Sequence, residues 1–331
     1  IYNFQEFGLP QKRKRCVIGN FNQELLNSYK TKINAKTLGD VINSLSSNII
    51  NDPNFLLTLS SNTVTDNEKE LPLNKEEKRY NKESKNSHPV YNNMQFPDPM
   101  EKPVRTITAT CTRVSRESVV IKEGKGFRRL SVRERACCQG FPINYQFHGK
   151  SYSSKLKMIG NAIPPVFTYY LANALLEVPL EKLITLDKVE VKCVNNNQNA
   201  PITSPDKEGK TYPSNRSFRF SIPNLRFKSG TRFELNNSQG ELPWKIEFYF
   251  GDSKRILSTK LNIKLNKEIF REIKIKNPLF YNQLKELLLK KIIKIDNKKL
   301  QDTWSNKNRD FHPFQLLDDL GTLANEIIKI S

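Results

Sequence analysis

Apolar positions recur at every second residue in three stretches of the C-terminal third: Phe218, Phe220 and Ile222; Trp244, Ile246, Phe248 and Phe250; and Leu257, Leu261, Ile263 and Leu265. This period predicts strands that bury one face. Two longer runs, Pro278 to Ile295 and Phe314 to Ile330, carry apolar stripes at helical spacing. Together these elements predict a small α+β domain over 213–331, preceded by a polar linker over 179–212 that is rich in Asn from Asn195 to Asn215. Within that connection, Leu186 to Cys193 alternates like a half-exposed strand.

The N-terminal half has shorter elements. Gly8 and Pro10 mark a turn, and Arg15-Cys16-Val17-Ile18-Gly19 predicts a short buried strand leaving it. Thr37 is placed to cap a helix beginning at Leu38. The stretch Asp66 to Ser87 is dense in charge and poor in large apolar residues, which predicts a mobile or extended surface segment. Two β-prone runs, 103–110 and 118–121, flank a basic loop at 112–117. Ser131 with Glu134 three residues on forms a capping box for a helix that Gly140 and Pro142 end. Pro165 suits the first turn of a further helix, with Val166, Tyr169, Tyr170, Ala172, Ala174 and Leu175 available to a core.

Charge adds a partner to this picture. The 331 residues carry 54 Lys and Arg against 34 Asp and Glu, a net +20, with a pI near 9.7. Such an excess suits a polyanion, because each Lys or Arg that meets a phosphate releases counterions. No apolar run approaches the roughly 20 residues of a membrane helix and no signal-peptide pattern is present, so the expected location is the cytoplasm, in association with the nucleoid. Five cysteines without a C-x-x-C pair, and only three histidines, leave no zinc framework and imply no metal. Asp187, Glu190 and Lys192 fall on the wet face of one predicted strand and do not converge as a nuclease metal site would.

The candidate chemistry lies in three short blocks. In Gln11-Lys12-Arg13-Lys14-Arg15, Arg13 and Arg15 are at i and i+2 of an extended segment and point the same way. Each guanidinium can hold a phosphate or a base oxygen through several fixed donors. In the basic loop, Arg113 and Arg116 suit guanine edges, while Thr112 and Ser115 suit bases or phosphates. Read alone, that loop is equally an ordinary charged hairpin turn. Gly160 permits close approach, and Asn161, followed by Ala162, offers a donor and an acceptor.

The order of these blocks resembles the C-terminal part of a DNA cytosine-5 methyltransferase: Gln11-x-Arg13-x-Arg15, then Arg105-Thr106-Ile107-Thr108-Ala109-Thr110, then Arg129-Leu130-Ser131-Val132-Arg133-Glu134 through Gln139-Gly140-Phe141-Pro142, then Met158-Ile159-Gly160-Asn161-Ala162-Ile163-Pro164-Pro165. The resemblance implies an α/β class: the C-terminal portion of a Rossmann-like methyltransferase fold plus a target-recognition domain, followed by the small α+β domain. Residues 1–20 would end the catalytic domain, 21–128 would form the recognition domain, and 129–178 would pack on the catalytic core. Gln11, Arg13 and Arg15 would face a flipped cytosine. Gly160, Asn161 and Ala162 would line part of an S-adenosylmethionine pocket. Arg105, Thr112, Arg113, Ser115 and Arg116 would meet double-stranded DNA. Arg129, Arg133 and Glu134 would be structural ion-pair residues, and Cys137 and Cys138 small packing residues.

Methylation at cytosine C5 needs a thiolate that attacks C6 of an extruded base. The family carries that cysteine in a Pro-Cys-Gln loop, and no cysteine here follows a proline. The chain starts at Ile1, directly before a motif, so it reads as a split subunit or a piece of a longer protein. It is expected to be inactive alone and to partner an N-terminal methyltransferase half that brings the nucleophile and the donor-site motifs. The alternative is a non-catalytic DNA-binding protein with a degenerate recognition domain, for which the intact Gln11, Arg13 and Arg15 set has no use.

Overall fold

The computed structural model describes residues 1–86, 94–110, 112–191, 199–205, 215, 217, 219–226, 232–237, 244–250, 255–260, 267–291, 296–305 and 315–330. These fall into two compact units, one formed by Ile1–Asn86 with Met94–Glu208 and one containing Gly209–Ser331.

The first unit is built on two apolar clusters. In one, Tyr2, Phe4, Phe7 and Leu9 from the start of the chain pack with Leu26 and Tyr29 and with Val166, Phe167, Tyr170 and Ala174 of the helix Pro165–Leu175. Phe167 lies flat on Phe4, centroids 4.0 Å apart, and meets Phe7 edge-on at 5.1 Å, both favourable ring geometries. The buried face of that helix therefore runs through Phe167, whereas Leu175 is 54% exposed. At about 100° per residue, positions 166, 167, 170 and 174 share one side, and 175 falls outside it.

The second cluster joins the helix Leu38–Ser44, Val104, Ile107, Val119 and Ile121 to the helices Val132–Cys138 and Tyr152–Asn161. Residues that the sequence divides between a recognition domain and the following blocks thus share one core. The cap predicted at Thr37 and the capping box predicted at Ser131 with Glu134 are both present, and Asp40 completes a box at Thr37 as well. Gly140 ends the second helix at φ 84°, and a Cβ there would come within 2.8 Å of Val166 Cγ2, so the left-handed turn and the packing both require glycine.

Several predicted elements differ. The charged stretch 66–87 holds a helix over Lys75–Asn86, started by a reciprocal cap in which Glu77 N–H donates to Asn74 Oδ1 and Asn74 N–H to Glu77 Oε2. Cys16 and Ile18 are exposed and belong to no strand; pairing stops at Lys14–Arg15, which lies antiparallel to Tyr2–Asn3. The runs 103–110 and 118–121 do not pair with each other. Val104–Arg105 lies parallel to Gln11–Lys12, and Val120–Glu123 forms a hairpin with Gly126–Arg129. Leu186–Lys188 is a tight 3-10 turn, because Leu186 and Val189 turn to the core three residues apart; Cys193 lies outside the described residues.

In the second unit, Arg219–Arg226, Arg232–Asn236, Lys245–Phe250 and Arg255–Lys260 form an antiparallel meander in chain order. Ile222, Leu235 and Trp244 are buried with Leu316, Leu317, Leu320 and Leu323 of the helix Gln315–Ile330. The strand Arg232–Asn236 and the helices Lys267–Lys276 and Asn297–Trp304 extend the predicted set. The predicted positions Phe218, 261–265, 292–295 and Phe314 lie outside the described residues.

Candidate functional site

Gln11, Arg13 and Arg15 stand where the chain changes partners. Gln11–Lys12 pairs with Val104–Arg105, while Lys14–Arg15 pairs with Tyr2–Asn3. Alternation breaks across that switch, so Arg13 turns inward and Arg15 stays exposed, and the two do not point the same way as a continuous strand would require. Gln11 is fully buried and satisfied: Nε2 donates to Cys138 O at 3.1 Å and Gln139 Oε1 at 2.7 Å, and Oε1 accepts from Ile107 N–H at 2.9 Å. It ties three of the four blocks together.

Arg13 is 5% exposed and faces backbone oxygens alone. Nη1 donates to Ile107 O at 3.3 Å, and Nη2 to Gly160 O at 3.3 Å and Ala162 O at 3.5 Å. These contacts are long, Nε is buried without a partner, and among the described residues no carboxylate pairs with the group. Burial first, and the positive charge of Arg15 second, lower its pKa to about 10. Among the described residues, Arg15 donates only to the neighbouring Lys14 O, at 2.7 Å.

Gly160 does allow a close approach, but to the chain's own backbone: a Cβ there would lie 2.2 Å from Ala109 N and 2.4 Å from Thr108 C. Its role is to seat the helix Tyr152–Asn161 against the Thr106–Thr110 run. Ala162 O is occupied by Gln139 Nε2 at 2.8 Å. Of the three residues expected at the cofactor pocket, Asn161 alone presents an exposed side chain.

Two of the five expected DNA contacts are turned inward. Arg105 donates to Asp98 Oδ2 at 2.5 Å and Ser118 O at 3.1 Å. Arg113 makes a bidentate pair with Glu77, 2.6 and 2.8 Å, and donates to Leu71 O and Pro72 O. The forked pair of Arg113 with Glu77 uses the donors a guanine edge would need, and one nitrogen of Arg105 is tied to Asp98 and Ser118 O. Ser115 Oγ is held in the turn by Thr112 N–H and Ser118 Oγ, Arg116 is half-buried, and Thr112 is exposed.

What sequence reasoning missed is the source of these counter-charges. The segment read as mobile supplies three carboxylates, two of them with buried side chains and Glu77 half-buried, to cations far along the chain. Asp66 meets Lys155 Nζ at 2.5 Å and Glu77 meets Arg113. Glu70, 0% exposed, accepts from Arg129 Nε at 2.5 Å and Tyr152 O–H at 2.6 Å, with Arg113 Nη1 at 3.9 Å. Asp and Glu are seldom fully buried unless paired, but the sequence gives no sign of which of the many charges would be. Arg128 pairs with Glu134 at 2.8 Å. Arg129 and Glu134 are thus ion-paired as the resemblance implied, whereas Arg133 donates to the oxygens of Thr65, Pro142 and Tyr145. Cys137 and Cys138 are buried, and burial pushes both thiols up, away from thiolate character.

A family model described as C-5 cytosine-specific DNA methylase matches residues 1–177. Among curated proteins, the chain is 41% identical over 56 residues to the type II methyltransferase M.FnuDI of Fusobacterium nucleatum, covering 17% of this chain and 16% of that protein. It is 42% identical over 64 residues to the type II methyltransferase M.AquIB of Picosynechococcus, covering 16% of this chain and 46% of the relative. It is 50% identical over 50 residues to DNA (cytosine-5)-methyltransferase 1B of Oryza sativa, covering 15% of this chain and 3% of the relative. The matches therefore span less than half the length of each of these relatives. With more than half of its residues matched by the family model, the chain belongs to the C-5 cytosine-specific DNA methylase family.

Proposed function

We propose that the chain is the C-terminal part of a DNA cytosine-5 methyltransferase of a restriction-modification system, working in the cytoplasm at the nucleoid with an N-terminal half that carries the nucleophilic cysteine. The observation that supports this reading best is Arg13. A guanidinium buried against three carbonyl oxygens, with one N–H unpartnered and no carboxylate, is costly for the fold alone. It suits a ligand that brings an oxygen, such as the carbonyl of an extruded cytosine or the phosphate beside it. Arg15, exposed next to it, adds a second donor on the solvent side. Gln11 positions both by locking the strand to Ile107 and Gln139.

S-adenosylmethionine would supply the methyl group when bound. Asn161 fits it, since its amide is exposed and makes no bond to a described residue, and it would hold a polar end of the donor. Gly160 and Ala162 act through backbone packing that fixes Asn161. On the DNA side, Thr112, Ser115 and Arg116 carry the recognition role, and Arg105 and Arg113 hold their loop in shape.

Methyl transfer from labelled donor to duplex DNA, with the chain alone and with an N-terminal methyltransferase half added, tests the reading. Transfer is expected only from the pair. A pair that binds DNA and transfers no label would leave a non-catalytic DNA-binding protein in its place. In the active pair, Arg15→Ala is expected to reduce turnover more than DNA affinity; an equal loss of both would make Arg15 a phosphate anchor.

A further inference from the structure

Outside the family match, the helices Lys267–Lys276 and Pro278–Lys291 enclose an open cleft of about 330 Å³. Lys267, Arg271, Lys274 and Lys285 line it around Phe270 and Tyr281, and no carboxylate is among the described lining residues. Lys267, Arg271 and Lys274 recur at i, i+4 and i+7, so they form one stripe along the first helix. None of the four cations makes a hydrogen bond or an ion pair with the described residues; the one contact is Lys274 Nζ over the Tyr281 ring, 5.8 Å from its centroid. The buried arginines of the first unit behave differently, being matched to Glu70, Glu77 and Glu134. Four unmatched like charges around one cleft repel each other, and an anion placed there relieves that repulsion.

We infer that this cleft is a second nucleic-acid site, which grips the phosphate backbone of duplex DNA without reading bases. The choice of DNA among polyanions rests on the proposed function above. Seven residues of helix span about 10 Å, the length of roughly three nucleotides along one strand, so the stripe fits a linear array of charges better than a single small anion. Phe270 and Tyr281 meet edge to face at 6.4 Å and are half-buried. They form a floor and offer no flat platform for an unpaired base, which favours a duplex over a single strand.

The test uses the full chain, a labelled duplex of arbitrary sequence and a salt titration followed by fluorescence anisotropy. In the double variant Lys274→Ala/Lys285→Ala, affinity at low salt is expected to fall about tenfold. The slope of log affinity against log salt should become shallower by about 2, and equally for unrelated sequences. Lys274→Arg/Lys285→Arg should bind like the parent, and Tyr281→Leu should leave duplex binding unchanged. All these positions except the half-buried Tyr281 are exposed, so the charge variants are expected to keep the parental circular dichroism. An unchanged slope in the alanine double variant, with affinity reduced by Arg15→Ala in the same assay, would overturn the second site and leave the methyltransferase reading intact. Loss of single-stranded binding alone in Tyr281→Leu would overturn the duplex assignment. An acidic peptide bound by the parent and not by the alanine variant, with the DNA slope unchanged, would make the occupant a protein. Methyl transfer is read separately and has no bearing on the slope.

Discussion

Arg13 and Arg129 are almost equally hidden, 5% and 1% exposed, and are supplied in opposite ways. Arg129 lies against Glu70, which also takes Tyr152 O–H and lies near Arg113. Arg13 has only carbonyl oxygens at 3.3 to 3.5 Å. A buried cation with a carboxylate is committed to the fold, because removing either partner strands the other in low dielectric. Arg13 has no such partner among the described residues, its contacts are long and its Nε is buried without one, which leaves donors that a ligand oxygen could meet. The acidic segment Asp66–Glu77 supplies the carboxylates that meet Arg113, Arg129 and Lys155, and Arg13 is not among the cations it pairs.

The contrast is most open to failure at Glu70. Glu70→Ala should lower stability by about 3–5 kcal/mol in urea unfolding, whereas Arg13→Met should change it by about 1 kcal/mol or less while eliminating methyl transfer in the assembled pair. Similar stability losses in the two variants would erase the distinction between them. A smaller effect is expected at Gly160, where the added methyl of Gly160→Ala must displace the Thr108–Ala109 backbone. That overpacking should cost about 1–3 kcal/mol and reduce activity through Asn161, with no change in the salt dependence of DNA binding.

Lys85 sharpens the comparison from the recognition side. Its Nζ is buried, donates to Asn81 Oδ1 at 2.8 Å and lies 5.4 Å from the centre of the Phe96 ring. Arg105, Asp98, Glu117 and Arg116 are the charged groups that act on it, and burial above all lowers its pKa from 10.5 to about 7. The folded form therefore releases its proton near pH 7, while the unfolded chain keeps it to about 10.5, so unfolding takes up a proton between those values. Stability should rise as pH increases above 7, by up to about 2 kcal/mol at pH 9, and Lys85→Met should remove that slope from thermal melts. A variant with the parental slope would show that Lys85 is paired in solution. The smallest effect belongs to Thr112, which is exposed: Thr112→Ala should leave stability within about 0.5 kcal/mol and weaken binding to the cognate duplex more than to unrelated DNA. Equal weakening on all sequences would make Thr112 a phosphate contact.

Helix starts were legible because a cap is decided within four residues. The cap at Thr37 and the box of Ser131 with Glu134 need only their own backbone, and both form as read, with Asp40 added at the first. The opposed directions of Arg13 and Arg15 were not legible, because they depend on a change of strand partner to Val104–Arg105 on one side and Tyr2–Asn3 on the other. Nor was the helix Lys75–Asn86, whose charged composition resembles a solvated segment until Arg113 is placed against Glu77.

The sequence by itself determined the family blocks, their order, the positive charge and the local helix caps, all of which are encoded in neighbouring residues. Only the tertiary structure decided which charges are spent and which remain available. That depends on pairs such as Glu70 with Arg129, 59 positions apart, and on backbone approaches such as Gly160 to Ala109. A side chain's free energy in a low-dielectric interior is set by the neighbours that folding brings to it, and no spacing along the chain records them.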